Sequence, residues 1–345
     1  MDDKKLEELL NQEESEFQKK QIAESKRFEK KIQISIFKNT FKNICFIFLT
    51  VTLIFTAIFY YNKSRTYNVT KNENFDNLIL VAFSHFYPDY SIIAQSYIQD
   101  VKYTNKGYEF KCFITNNHSP QSTNNNAIMI VDHNKISIEC DYKTNTAEYA
   151  YPTSIIYSYG LNRNENDINE QFDIIQRLPE TAYIQARVEF NESLSTDEVA
   201  KKSNMITDTY SSIDWIGFDL DNQKIMRQLI LGTKLDYYQY RGYDEQKYPN
   251  LFLTSNTFTG DEIQEHFLSE LKFLKDNPDF NKLFNESFEG IKNEDLDHFI
   301  QIVENEKLYV NTLNVRMKKD VFLDAFTKEE IKVLDLKDID VSYIK

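Results

Sequence analysis

The chain has 345 residues and more acidic than basic side chains, which leaves a formal net charge of −14. It contains only seven glycines and six prolines, a composition that excludes collagen-like proteins and low-complexity stalks. Nucleic-acid phosphates bind basic surfaces, so the acidic balance argues against direct binding of nucleic acid. The length is sufficient for a sizeable hydrophobic core and for two domains.

One segment near the N-terminus is an almost continuous run of apolar and aromatic residues. Residues 44–61 form a run of 18 residues without a charged side chain. As a helix this run is about 27 Å long, close to the roughly 30 Å hydrocarbon core of a bilayer. A buried core helix is the alternative, but a run that is apolar on all faces favours a membrane span. A signal peptide is disfavoured because 43 residues precede the run and no A-x-A-like site follows it.

The charges on either side of this run predict its orientation. Six Lys or Arg residues precede it and three follow it within about 20 residues, and the richer flank normally stays in the cytoplasm. We therefore predict a single-pass protein of the cell membrane with a cytoplasmic N-terminus. The lipid bilayer is its first partner, and residues 62–345, with a net charge of −15, are expected to be extracytoplasmic.

The cytoplasmic tail, residues 1–43, is too short for a globular core and is expected to act by binding. Its first half has helical spacing, with one apolar face made by Leu6, Leu9, Leu10 and Phe17. Residues 1–16 hold seven acids and two lysines, whereas residues 17–43 hold eight Lys or Arg and two Glu.

These two halves predict two different contacts for the tail. The acidic half is expected to bind a groove on a basic cytoplasmic partner, with a solvated, partly disordered helix as the alternative. The basic half is expected to lie on the anionic inner leaflet.

Residues 62–178 are predicted to form a β-rich module with one early helix. Helical spacing over 77–98 is interrupted at Pro88, and 171–178 is read as a short helix. Strands are predicted at 108–115, 127–132, 136–142 and 147–151. Cys112 and Cys140 fall on two of these strands, and both a cross-strand disulfide and two buried thiols remain open.

Residues 179–345 alternate between strand and helix patterns. A capping box of Ser195 and Glu198 starts a helix between two predicted strands. The predicted elements are a strand at 183–190, a helix from 195 to about 205, a strand at 213–220, a helix at 260–276, a strand at 307–315, a helix at 319–326 and a strand at 331–336. The predicted fold is α+β, with two βαβ-like units of the split kind in one sheet.

Signatures of catalysis are absent from the sequence. It contains no G-x-S-x-G, H-E-x-x-H, G-x-G-x-x-G or Walker loop. The five histidines lack metal-ligand spacing, and they are His85, His118, His133, His266 and His298. Trp215, the single tryptophan, is predicted to pack in the core. We predict that the protein is not an enzyme and binds no cofactor or metal.

Two sequence phrases resemble a known family. Residues 178–199, LPETAYIQARVEFNESLSTDEV, and residues 213–220, IDWIGFDL, are similar to the sigma-factor regulator family of Gram-positive bacteria. The matching residues are Tyr183, Val188, Phe190, Leu194, Ser195, Glu198, Val199, Trp215 and Asp219. Gly217 and Phe218 depart from the family's pattern, and Gln185, Ala186 and Arg187 lengthen the first strand.

Members of that family are membrane-anchored anti-sigma factors of extracytoplasmic-function sigma factors. The resemblance implies that the tail sequesters a sigma factor in response to an envelope signal, with a second membrane regulator contributing to release. Because the tail contains neither His nor Cys, the zinc-binding anti-sigma subtype is excluded. The alternative is a single-pass anchored module for extracellular binding or adhesion, without enzymatic activity.

Overall fold

The computed structural model describes residues 3–94, 101–116, 125–133, 135–140, 165–208, 210–220, 231–235, 242–253, 257–288 and 290–341. The side chains of residues 3–13 and 15 lie outside this description, as does the predicted strand at 147–151. The chain divides into two compact units, residues 1–64 and 65–345.

The first unit is a single helix, α1 (Asp3–Arg65), which continues without a break through the tail and the apolar run. Neither Gly nor Pro occurs before residue 88, so nothing in this stretch interrupts the helical hydrogen bonds. Within the apolar run, the Thr50 and Thr56 hydroxyls donate to carbonyls one turn back, at 2.9 and 2.8 Å. These bonds satisfy polar groups that would be costly to leave unpaired in hydrocarbon. Among the described helices, this one is long and apolar enough to cross a membrane.

The second unit begins with α2 (Phe75–Phe86), a helix that is buried on almost all sides. A helix that is apolar all round packs between layers of structure. The helical reading is correct as far as Phe86. It is wrong for residues 90–94, which form β1 (Tyr90–Ala94), because proline cannot supply the next helical hydrogen bond. Residues 95–98 lie outside the described residues.

The first sheet is antiparallel and contains β1, β2 (Lys102–Thr104), β3 (Gly107–Asn116), β4 (Asn125–Asp132) and β5 (Lys135–Cys140). The predicted strands at 108–115, 127–132 and 136–142 correspond to β3, β4 and β5, and residues 141–142 of the last prediction lie outside the described residues. Alternate residues of β3 point into the core, among them Phe110 and Cys112.

The register of this sheet decides between the two cysteine alternatives. Cys112 on β3 and Cys140 on β5 both pair with Ala127 of β4, which lies between them. Two strand spacings separate their Cα atoms by about 9.5 Å, beyond the reach of a disulfide. Cys112 is a buried free thiol.

The second sheet contains β6 (Ala182–Ser195), β7 (Ser212–Asp219), β8 (Gly232–Lys234), β9 (Tyr309–Lys318) and β10 (Ile331–Val341). Its order is β10-β6-β9-β7-β8, and every neighbouring pair is antiparallel. Strands β6 and β7 therefore run parallel on either side of β9, and β9 and β10 run parallel on either side of β6. Each predicted βαβ-like unit is thus a split βαβ motif.

Helices α4 (Thr196–Asn204) and α8 (Lys319–Ala325) make the crossovers of the two units. The other described helices of this unit are α3 (Glu165–Arg177), α5 (Gly260–Lys275), α6 (Pro278–Asn285) and α7 (Asn293–Asn305). Helix α2 contacts β1 of the first sheet, β8 of the second, and α5 and α6. One continuous hydrophobic core therefore serves both sheets.

The predicted capping box at the start of α4 is confirmed. The Glu198 amide donates to Ser195 Oγ at 3.3 Å, and the Ser195 amide donates to Glu198 Oε2 at 2.8 Å. These hydrogen bonds hold the pKa of Glu198 below its usual value. The box satisfies amides that have no partner within the helix.

Replacing Ser195 with alanine is expected to lower the free energy of unfolding by about 1 kcal/mol, because the Glu198 amide loses its acceptor. Urea unfolding of the full chain in detergent micelles, followed by Trp215 fluorescence, measures this loss. Lys201→Ala, an exposed change in the same helix, should stay within about 0.5 kcal/mol of the wild type. Equal losses in the two variants would show that the cap contributes nothing.

Candidate functional sites

The predicted partner-binding residues all lie on α1. Residues 6, 9 and 10 are in its helical backbone, which gives them the predicted spacing, and their side chains lie outside the description. Phe17 is 63% exposed, and Phe28 further along the helix is 66% exposed. Large exposed aromatic side chains on a helix are available for a partner.

The basic half of the tail also lies on this exposed, continuous helix. Lys42 is two residues before the apolar run, Lys38 six residues and Lys31 thirteen residues. At 1.5 Å per residue, Lys31 lies about 20 Å from the start of the run, measured along the axis. The basic side chains therefore extend along the helix and do not cluster at its apolar end.

A buried cluster of charged side chains links Asp89, in the turn after α2, to the second sheet. Arg187 of β6 is 1% exposed, and its Nη2 lies 2.7 Å from Asp89 Oδ1. Its Nε–H donates to Asn314 Oδ1 at 3.0 Å, and the Asn314 amide donates to Asp89 Oδ1 at 3.1 Å. Lys337 of β10 makes a further ion pair with the same carboxylate oxygen. Two cations from two strands thus converge on one aspartate.

Burial lowers the pKa of Lys337 to about 8, and the Asp89 carboxylate opposes this lowering. The cluster includes Arg187, one of the residues that depart from the family's pattern. Its charges are directed at one another, so we assign it a structural role, as a clamp that joins β6, β9 and β10 to the Asp89 turn.

A second buried polar network lies where α2 meets β8 and α5. The Glu270 carboxylate is fully buried and accepts hydrogen bonds from Ser84 Oγ at 3.0 Å and Thr233 Oγ1 at 2.5 Å. His85 Nε2 lies 3.8 Å from this carboxylate and His266 Nε2 lies 3.6 Å from it. The network connects α2, which packs against the first sheet, to β8, the edge strand of the second sheet.

Trp215 borders this network. Its side chain is fully buried, and its Nε1–H donates to the Ser84 carbonyl at 2.8 Å. The predicted core position is confirmed. Gly232 on the neighbouring strand passes so close that a Cβ would lie 2.1 Å from the Trp215 ring. Only glycine fits at that position of β8.

A surface cleft of about 340 Å³ lies between α5 and α7. Three lysines line it, and each is paired with a carboxylate: Lys247 with Asp276, Lys272 with Glu304 and Lys275 with Asp297. The Asp276 carboxylate raises the pKa of Lys247. Because these charges balance within the cleft, it carries no assignment of a ligand.

Among the described residues, no group of three or more His, Cys, Asp and Glu is arranged to hold a metal ion. The sequence alone predicts neither buried network. Ser84 and Glu270 are 186 residues apart, and Lys337 and Asp89 are 248 residues apart. No local pattern identifies such pairs, and the one available signal was Arg187 between the apolar residues Ala186 and Val188 of a predicted strand.

No protein-family model, no curated protein and no solved structure matches this chain. The fold and the sites define an α+β protein with one long, apolar N-terminal helix.

Proposed function

We propose that the chain is a membrane-anchored anti-sigma factor, whose cytoplasmic tail sequesters an extracytoplasmic-function sigma factor. The observation that carries the proposal is α1, one uninterrupted helix that joins an exposed, charged tail to a run long enough to span a bilayer. In this arrangement, residues 44–61 cross the membrane and residues 62–345 lie outside. The sequence resemblance to sigma-factor regulators supplies the class of partner.

The surface that binds the sigma factor is the apolar face made by Leu6, Leu9, Leu10 and Phe17. A helix that places apolar side chains at such spacing docks in an apolar groove. Acidic residues surround this face, so the groove is rimmed by basic side chains. A sigma factor held in this way is kept from RNA polymerase until the contact is released.

The continuous helix changes the expected role of the basic half of the tail. The Debye length at physiological salt is about 8 Å, so the field of the inner leaflet reaches only side chains close to it. On a straight helix, Lys42 and Lys38 are within about 10 Å of the run, whereas Lys31 is about 20 Å away. Lys42 and Lys38 are therefore the tail cations that contact the inner leaflet, and the more distant cations stay available to the cytoplasmic partner.

The double variant Leu9→Asp with Leu10→Asp tests this proposal. Each leucine buried in a groove contributes about 1.5–3 kcal/mol, so the affinity for the sigma factor should fall at least about 100-fold. Transcription from a promoter that depends on this sigma factor should rise in cells carrying the full-length variant. Co-purification of the full chain with each extracytoplasmic-function sigma factor of the source bacterium identifies the partner.

The matched control is Asn11→Asp with Ser15→Asp, which adds the same two charges on the opposite side of the helix. It should leave both binding and transcription near the wild-type values. If no sigma factor co-purifies, and the leucine double variant leaves transcription unchanged, the proposal fails. An anchored extracellular binding or adhesion module is then the better description.

A further inference from the structure

Helix α2 ends inside the network formed by Ser84, His85, Thr233, His266 and Glu270. His85 is fully buried, and its ring packs edge-on against Phe267 of α5, with ring centroids 5.3 Å apart. Helix α2 is the first described α-helix after α1 in the chain, and a short 3₁₀ helix (Val69–Lys71) lies between them. Residues 66–74 connect the two helices.

The hydrogen bonds of His85 indicate which of its two ring nitrogens carries the hydrogen. Nδ1 lies 2.8 Å from the Gly232 carbonyl, which can only accept, so Nδ1 carries the hydrogen. Nε2 is buried and makes no hydrogen bond. A neutral His85 therefore places a bare nitrogen in the core, 3.8 Å from the Glu270 carboxylate.

The ring of His266 has a different set of neighbours, because oxygen atoms lie near both of its nitrogens. Its Nδ1 lies 2.7 Å from the Asn250 carbonyl, and its Nε2 lies 3.2 Å from the Lys234 carbonyl. The Thr233 hydroxyl, 3.0 Å from Nε2, donates its hydrogen to Glu270 and can only accept from the ring. Both ring nitrogens of His266 thus lie within hydrogen-bonding distance of oxygen atoms. Nε2 of His85, by contrast, is buried with no acceptor within hydrogen-bonding distance, so a proton on it would be buried without one.

We propose that His85 is an acid-sensitive latch, whose protonation loosens the packing of α2 against β8 and α5. A proton on Nε2 places a positive charge on a fully buried ring that has no acceptor in hydrogen-bonding distance for it, and opening this junction exposes that charge to water. The device responds to the pH around residues 65–345, and it stands whether or not the tail binds a sigma factor.

The direction of the pH dependence follows from burial. Burial lowers the pKa of His85 below its usual 6.5; Glu270 and the Gly232 carbonyl oppose the shift, and His266 adds to it. The unfolded chain therefore binds this proton more readily than the folded protein. The stability that depends on a neutral His85 is fully present above pH 6.5 and falls as the pH drops below it, and this contribution raises the unfolding equilibrium constant by up to about tenfold per pH unit.

Other charged groups on the elements packed against α2 contribute separately. From α5, Glu270 and His266 face His85; from β8, the buried Lys234 donates to the Tyr90 carbonyl of β1. The ionisable residues of α6, Asp279 and Lys282, are exposed. At the start of α2 itself, burial raises the pKa of Asp76 to about 6, which favours the folded state as the pH falls. A comparison of variants at His85 cancels these contributions.

The test uses the full chain in detergent micelles with Trp215, the single tryptophan, as the reporter. Urea unfolding is measured between pH 8 and 5 for the wild type and for His85→Asn, whose amide can still donate to the Gly232 carbonyl. Below pH 6.5, we expect log K for unfolding to rise more steeply with falling pH in the wild type than in His85→Asn. The two slopes should differ by up to about one log unit per pH unit, which corresponds to one bound proton. His133→Asn is the control: His133 is half-buried in a turn at φ 40°, a conformation that asparagine tolerates. It should keep the wild-type slope.

Equal slopes in the wild type and His85→Asn would overturn the proposal. If His85→Asn does not fold, hydrogen exchange in the wild type decides the question. Amides of α2 should lose protection between pH 7.5 and 5.5, after correction for intrinsic exchange, while amides of β6 and β9 keep theirs. Unchanged protection of α2 would equally contradict the latch.

Discussion

Asp89→Ala is expected to lower the free energy of unfolding by about 3–5 kcal/mol. The substitution removes the carboxylate shared by Arg187 and Lys337 and leaves two buried cations without it. It also removes the acceptor of the Asn314 amide. Losing one partner of a buried ion cluster costs far more than losing an exposed pair, because the remaining charges stay out of water.

Urea unfolding of the full chain in micelles measures this effect, and Asp297→Ala is its matched control. The Asp297 carboxylate pairs with Lys275 at the surface, where its side chain is 60% exposed. That change should cost at most about 1 kcal/mol. Equal losses from the two aspartate variants would show that removing the carboxylate of the buried cluster costs no more than removing one from an exposed ion pair.

The same variant should also change the pH dependence of stability. The pKa of Lys337 is about 8 with Asp89 present, and removing the carboxylate lowers it further. The folded variant then sheds this proton at a lower pH than the wild type, while the unfolded chain keeps it in both. The stability lost by Asp89→Ala should therefore be smaller at about pH 9 than at about pH 6.

Phe284→Ala should lower the free energy of unfolding by about 3–5 kcal/mol. Phe284 is fully buried, and its ring centroid lies 5.7 Å from that of Phe83 and 5.1 Å from that of Phe288. The substitution opens a cavity between α2 and α6 and removes these aromatic pairs. Met205→Ala, at a side chain that is 71% exposed, should stay within about 0.5 kcal/mol of the wild type.

The position of this cavity also tests whether the two sheets share one core. Because α2 packs against both sheets, Phe284→Ala should destabilise residues 65–345 as one cooperative unit. Trp215 fluorescence in the second sheet and hydrogen exchange in β3 of the first should report the same loss. A loss confined to β3, with Trp215 unaffected, would contradict a shared core.

Several elements were predictable because their signals are local. The capping box at Ser195 needs only Glu198 three residues later, and the strands β6, β7 and β9 show alternation or apolar runs within a few residues. The connection from one strand through a helix to a parallel strand in the same sheet is almost always right-handed, which restricts how such elements can combine. This is why the split βαβ units could be predicted before the pairing of the strands was known.

Other elements carry signals that are too short or ambiguous. Strand β8 has three residues, and Gly232 within it matters only because Trp215 lies beneath it. Strand β1 follows Pro88 with an apolar run that fits a helix or a strand equally well. Its strand conformation is decided by pairing with β3, a contact between distant parts of the chain.

By itself, the sequence determined the amphipathic helix in the acidic half of the tail, the single apolar run and the α+β alternation, because each depends on residues close together in the chain. The structure added that the tail and the apolar run form one continuous helix. Tertiary structure alone decided that Cys112 and Cys140 stand two strands apart, that Asp89 gathers Arg187 and Lys337, and that His85 faces Glu270. Such contacts join residues tens to hundreds of positions apart. They form because a buried charge or polar atom must find a partner wherever the fold supplies one.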